Sequence, residues 1–443
     1  MTICLALSTT SVVRCSAQCS SPAIQALIDQ GNPAYGGCQA ALLPSASDKY
    51  ADLMAHISQA RHYINLEYFI FRRDSIGNAF LHLLHQKVTE GVKVRLLIDA
   101  YGNHKSPLRM RNEHLDSIRA LGIDVALYDP IHFPWLRNVL CRDHRKIVIV
   151  DGLWAWTGGI NIADYYLRGT ARTGPWRDMQ VRFSGPVVSE FNRIFCDLWR
   201  RTTGQVLPKE NIDFTEGENE NEDQTLRYED EDKPFTFNPS PFTFNPSPFT
   251  LHPSPSTAFP CDTVVIINRE PRKQSAAMRK AYVATFDSAR RDIFIVNPYP
   301  TLVPKVRRAM RRALKRGVHM SIMVSSRSDN NIVPDLVSLE MYQMARRGAE
   351  IYCYDGGFHH SKVLAVDDTL ALLGTTNLDA RSLRFDYEIT AALQSPEMVT
   401  QLRTIFNADT LQSHRLTRDN YRRIVPLRRR ILARIMRPIR GVL

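Results

Sequence analysis

Short apolar runs alternate with longer amphipathic stretches in two separate parts of this chain. In the first part, residues 63–71 read as a strand, 77–89 as a helix, 92–99 as a strand, 111–121 as a helix and 125–128 as a strand. The same order returns at 293–296, 303–316, 318–324, 335–347 and 351–354. Each series ends in a run, 147–150 or 363–366, that is apolar without alternating. Such a run suits a strand buried on both faces. Strands alternating with helices predict two α/β units with mixed or parallel sheets.

The two parts also match residue by residue. Gly91-Val-Lys-Val-Arg-Leu-Leu-Ile aligns with Gly317-Val-His-Met-Ser-Ile-Met-Val, and Gly122-Ile-Asp-Val aligns with Gly348-Ala-Glu-Ile, both displaced by 226 residues. Further on, His144, Lys146, Asp151, Gly158 and Asn161 recur as His360, Lys362, Asp367, Gly374 and Asn377, displaced by 216. The drop of ten places a length difference in one loop, residues 130–143 against 356–359. Two copies of HxK(x)4D with a following GxxN, in one register, exclude a chance match of a common short motif. The copies are expected to face each other about a pseudo-twofold axis, with His144 and His360 at one phosphate.

These residue types suit phosphoryl transfer without a metal. A histidine near neutrality can attack phosphorus, and a second can protonate the leaving alkoxide. Lys146, Lys362, Asn161 and Asn377 supply a fixed charge and amide donors for phosphate oxygens. On a strand, residues two apart share a face, so each histidine reaches the same ligand as its lysine. A zinc site is a poorer reading, since each histidine is paired with a lysine that repels a cation. His359 lies outside the repeat register, which selects His360.

The formal charge is +12, yet residues 209–233 alone carry eleven acids. Without that stretch the chain has 54 basic and 34 acidic residues, a net +20, which favours an anionic lipid surface or nucleic acid. The acidic stretch, followed by Pro-Phe-Thr-Phe-Asn-Pro-Ser at 234–240 and again at 241–247, reads as a disordered linker. Five regions result: an N-terminal segment 1–40, a first half 41–205, a linker 206–262, a second half 263–412 and a tail 413–443. From Arg415 onward the tail has ten arginines and one acid. Leu427, Ile431, Leu432, Ile435, Met436 and Ile439 form a helical stripe there, expected to contact an anionic bilayer. No apolar run is long enough to predict a membrane span. Residues 1–21 lack an early basic residue and carry Arg14, a poor fit to a signal peptide. The eight cysteines form no CxxC pair, and their core-like settings fit a reducing compartment.

The segments Arg142-Asp-His-Arg-Lys-Ile-Val-Ile-Val-Asp151, Thr157-Gly-Gly-Ile-Asn161, Trp176-Arg-Asp178, Asn297-Pro-Tyr299, Gly357-Phe-His-His-Ser-Lys362 and Gly374-Thr-Thr-Asn377 resemble the phospholipase D superfamily. Within it the chain is similar to the bacterial cardiolipin synthases, over residues 41–205 and 263–412. The resemblance implies two phospholipase D-like α/β halves with the active site at their interface. It implies histidines acting as nucleophile and general acid, each oriented by an acid, with Asp178 and Glu388 at the matching positions. Catalytic roles are therefore expected for His144, Lys146, Asp151, Asn161, Asp178, His360, Lys362, Asp367, Asn377 and Glu388, with no cofactor and no metal. The implied reaction moves a phosphatidyl group between two phosphatidylglycerols through a phosphohistidine and releases glycerol. The alternative is a phospholipase D or nuclease working on another phosphodiester. The implied setting is peripheral, on the cytoplasmic face of a bacterial inner membrane, with no nucleic-acid partner. Gly159 and Thr375 stand where serine is frequent, and Asp386 stands where many relatives have asparagine.

Overall fold

The computed structural model describes residues 21–102, 112–130, 140–208, 235–236, 250–251 and 256–438. Two mixed sheets form its frame. In the first, the order from edge to edge is Ala258–Cys261, Cys38–Leu43, Gln180–Ser184, Trp154–Gly158, Lys146–Val150, Tyr63–Tyr68, Lys93–Asp99 and Asp124–Tyr128. In the second it is Ala34–Tyr35, Thr263–Arg269, Glu388–Gln394, Leu370–Gly374, Val363–Val366, Asp292–Val296, His319–Ser325, Glu350–Tyr354 and Ser413–Leu416. In each sheet the strands joined through helices are parallel, as Tyr63–Tyr68 is to Lys93–Asp99 and Asp292–Val296 to His319–Ser325. Those joined by tight turns are antiparallel.

The uninterrupted apolar runs follow from how the sheets are covered. One face of each sheet packs on its own helices, giving the separate cores around Leu66 and Val148 and around Ile295 and Leu364. The other faces meet in a shared core, where Ile147, Ile149 and Val181 join Val363, Ala365 and Leu393. Both faces of the central strands are thus dry, and every residue of Lys146–Val150 and Val363–Val366 is buried.

The ends of the chain depart from the boundaries the sequence suggested. The segment 1–40 contains the helix Pro22–Ile28, whose Ala23, Ile24 and Leu27 enter the core of the second half. It also contains Ala34–Tyr35, which pairs with Thr263–Arg269 in the second sheet. The assigned linker 206–262 contains Ala258–Cys261, which adds an edge strand to Cys38–Leu43, and Leu251, which is buried in the first half. The tail 413–443 begins with Ser413–Leu416, an edge strand on Glu350–Tyr354. Pairing on sheet edges drew in Ala34–Tyr35, Ala258–Cys261 and Ser413–Leu416, and apolar burial drew in Pro22–Ile28 and Leu251, long-range effects that local composition does not encode. The acidic stretch 209–233, the apolar loop 131–139 and residues 1–20 lie outside the described residues. Among the described residues no helix is long and apolar enough to cross a membrane.

Candidate active site

His144 and His360 lie just before the two central strands Lys146–Val150 and Val363–Val366. Each is held by backbone from the opposite half. The His144 amide donates to the Tyr387 carbonyl at 3.1 Å, and the Tyr387 amide returns a bond to the Arg142 carbonyl at 2.8 Å. On the other side the His360 amide donates to the Arg177 carbonyl at 2.7 Å, and the Phe358 amide to the Pro175 carbonyl at 2.8 Å. Both pairings are parallel, Asp143 with Tyr387 and Phe358–His359 with Trp176–Arg177. The segment after each motif is therefore laid beside the histidine of the other copy.

That lacing crosses the acids. Glu388, from the second half, puts Oε1 3.0 Å from Nδ1 of His144, and Asp178, from the first half, puts Oδ2 2.7 Å from Nδ1 of His360. With Nδ1 facing a carboxylate, Nε2 of His144 is left for chemistry, and Nε2 of His360 faces Lys362 Nζ at 3.1 Å. Thr375 donates its hydroxyl to the second oxygen of Glu388. Asp178 has no such hydroxyl: its Oδ1 accepts the Met179 amide at 2.8 Å, and a Cβ placed on Gly159 would overlap both its oxygens. Glycine stands at that position because the shorter aspartate fills the space.

The lysines close on the same point. Lys146 Nζ donates to the His144 carbonyl at 2.6 Å. Lys362 Nζ donates to the His360 carbonyl and lies 2.8 Å from Nδ1 of the ring. Burial pushes Lys146 down to about 7 and Lys362 down to about 8, while the carboxylates oppose the shift. Burial also pushes Glu388 up to about 7 against the pull of Lys146. His144 is held well below its ordinary value, first by burial and then by the charges of Lys146 and Lys362. His360 is lowered by burial and Lys362, but Asp178 opposes this by charge and hydrogen bond. Two buried lysines converging beside the histidines suit an incoming phosphodiester anion.

The remaining motif residues fall in three places. Asn161 accepts the Ile70 amide at 3.0 Å and donates to Tyr166 at 2.9 Å, which fixes the turn after the first GxxN. Asn377 is buried, with its Oδ1 unpaired among the described residues. Asp151 and Asp367 are not brought to the histidines, contrary to the catalytic role expected of them. Asp151 accepts the amides of Arg61, His62 and Tyr63 at 2.7 to 2.8 Å, at the far end of the strand. Asp367 does the same for Arg290, Arg291 and Asp292. Both sit at positive φ, 51° and 53°, in the tight turn that follows the strand, a conformation aspartate tolerates better than most residues. Asp386 accepts the Arg142 amide at 3.0 Å and the Arg381 guanidinium at 2.7 Å, so it buttresses the crossing strand.

The aromatic walls were missed in the sequence. Phe69 lies 5.0 Å from the His144 ring, and Trp176, Phe358 and Tyr299 lie 5.3, 5.4 and 6.0 Å from His360. The Tyr299 hydroxyl donates to Asp329 at the rim. Trp176, Phe358 and Tyr299 do fall within the resembling segments, whereas Phe69 carries no signal beyond following a strand. Among the described residues no cluster of His, Cys, Asp and Glu is arranged to hold a metal ion.

Comparison with known proteins agrees with this architecture. The chain is 29% identical over 428 residues to cardiolipin synthase 1 of Bacillus cereus, covering 93% of this chain and 74% of that one. It is 29% identical over 412 residues to cardiolipin synthase A of Pseudomonas putida, covering 92% and 76%. The crystal structure of phosphatidylserine synthase from Haemophilus influenzae superposes with a TM-score of 0.67 at 15% identity, over 95% of this chain and 98% of that one, and so shares the fold. The family described as cardiolipin synthase, PLD-like domain matches residues 53–199 and 282–410, which contain both histidines and both crossed acids. The chain belongs to the cardiolipin synthase family of phospholipase D-like enzymes.

Proposed function

We propose that this protein transfers a phosphatidyl group from one phosphatidylglycerol to another, releasing glycerol and forming cardiolipin, at the surface of an anionic membrane. The observation that carries the reading is the crossed pair of acid-held histidines with two buried lysines between them. Nε2 of His144, neutral in its cationic surroundings, attacks phosphorus. The bond from phosphorus to the glycerol oxygen breaks, and that oxygen takes the proton from Nε2 of His360. The phosphatidyl group then rests on His144. His360, now neutral, removes the proton from a glycerol hydroxyl of a second phosphatidylglycerol. That oxygen attacks phosphorus and the bond to His144 breaks. Lys146 and Lys362 hold the phosphate oxygens through both steps.

Water in place of the second lipid would give hydrolysis. The rings of Phe69, Trp176, Phe358 and Tyr299 around the histidines support an apolar mouth that disfavours water and suits lipid better than a nucleic-acid backbone. The test is to incubate purified protein with phosphatidylglycerol vesicles and, separately, with DNA, and to identify the products. Cardiolipin and glycerol are expected. Phosphatidic acid alone, or cut DNA, would replace this reading with a hydrolase.

A further inference from the structure

The C-terminal helix Leu427–Ile435 docks with the reverse of the usual polarity of a surface helix. Its one buried side chain is the small Ala433. It lies along the helix Val333–Ala345 and is tied there by an arginine, Arg429, whose Nε donates to Asp335. The large apolar side chains point outward: Leu427, Ile431, Leu432 and Ile435 are 61, 46, 41 and 67% exposed. One such residue would mean nothing, but four on a single short helix make a face.

On this helix and in the segments that flank it, Arg418, Arg422, Arg423, Arg428, Arg434 and Arg437 are exposed. Among the described residues none of the six makes an ion pair. The crowding of like charge reaches the neighbouring helix Pro304–Lys315, where Arg311 is held below its ordinary value by burial and then by Arg347, Arg307 and Arg437. Apolar side chains accompanied by unpaired arginines complement an anionic bilayer, with acyl carbon beneath and phosphates around.

The position of the supporting helix links this face to the site. Val333–Ala345 begins directly after the loop that carries Asp329, the rim residue bonded to Tyr299 beside His360. Ile332, between that loop and the helix, is itself 40% exposed. We propose that this face is the surface by which the protein lies on an anionic phospholipid bilayer, with Leu427, Ile431, Leu432 and Ile435 inserted at the headgroup level and the mouth beside His360 turned toward the lipid. The inference rests on the phosphatidyl-transfer reading for the purpose of that orientation, while the docking itself is measured without turnover.

The test uses the full chain and two variants. One replaces Leu427, Ile431, Leu432 and Ile435 by serine; the other is Arg422→Gln, Arg423→Gln, Arg428→Gln. Sedimentation with vesicles of phosphatidylglycerol and phosphatidylcholine, and with phosphatidylcholine alone, reads docking. Light scattering reads the oligomeric state, and phosphatidylglycerol in detergent reads turnover. The wild-type chain is expected to pellet only with the anionic vesicles. The serine variant should bind at least about tenfold more weakly, and the glutamine variant should lose most of the salt dependence of binding. Both should keep detergent turnover within about twofold of wild type. Undiminished vesicle binding by both variants would overturn the proposal. So would a wild-type dimer that the serine variant dissociates without losing vesicle binding, since the face would then belong to a second copy. If the wild-type chain binds anionic vesicles through this face but makes no cardiolipin, the activity reading fails and the docking surface stands.

Discussion

At the His144 pole the carboxyl partner is Glu388, whose second oxygen is held by the Thr375 hydroxyl. At the His360 pole it is Asp178, one methylene shorter, lying against Gly159 where a hydroxyl-bearing side chain has no room. The two poles descend from one repeated motif, and the backbone lacing is reciprocal. Their electrostatics nevertheless differ. Burial raises Glu388 to about 7, and His144 is held well below its ordinary value first by burial and then by the charges of Lys146 and Lys362, which favours the neutral ring that the proposed nucleophile needs. His360 is also lowered, by burial and Lys362, but Asp178 opposes that shift by charge and hydrogen bond, which suits the proton donor of the proposed mechanism. The difference teaches that a symmetric fold can give two copies of one motif unlike surroundings through the length of one side chain and the glycine that accommodates it.

The sharpest way to break this comparison is to exchange the supports. Gly159→Ser should push Asp178 off His360 and lower kcat/KM by about 10²-fold or more, the usual range for losing a positioned acid or base. Thr375→Ser, which keeps the hydroxyl, should stay within about threefold of wild type. Equal losses in steady-state assays would mean the poles are supported alike.

A smaller effect is expected from Asp178→Asn, and its signature is in pH. Removing the carboxylate charge disfavours the imidazolium of His360, so the donor loses its proton at lower pH. The alkaline limb of the kcat/KM profile should move toward acid, with the larger rate loss at high pH. A uniform loss at all pH values would instead assign Asp178 a purely structural part.

Smallest in its effect on chemistry is the loss of the far-end caps. Asp151→Ala and Asp367→Ala each leave backbone amides without their acceptor, costing about 1–3 kcal/mol of stability. Thermal unfolding should shift down while kcat at low temperature stays near wild type. A large fall in kcat with unchanged melting would restore the catalytic role first expected from the motif.

How much of this was legible in the sequence depended on distance along the chain. The repeat and the central strands were readable because His144 with Lys146, and His360 with Lys362, carry their spacing locally, beside apolar runs that mark full burial. Asp178 and Glu388 could be placed by resemblance, but not the crossing, since nothing local records which half a segment will pair with. The ends were hidden for the same reason. Pro22–Ile28 and Ala258–Cys261 found partners remote in sequence, as Leu27 does in the second core and Cys261 does opposite Cys38. The place of Asp151 in the motif suggested chemistry, whereas its carboxylate accepts the amides of 61–63 at the far end of the strand, a contact remote in sequence that the motif does not encode.

The division of roles between the histidines is tested most directly with a phosphatidyl ester of p-nitrophenol, a leaving group that needs no proton donor. His360→Ala should release about one equivalent of p-nitrophenolate in a burst and carry a phosphatidyl adduct on His144, seen as an added mass on the peptide containing that residue. His144→Ala should give neither burst nor adduct. A burst in His144→Ala with the adduct on His360 would reverse the assignment, and no covalent adduct in either variant would contradict the account of His144 as the nucleophile.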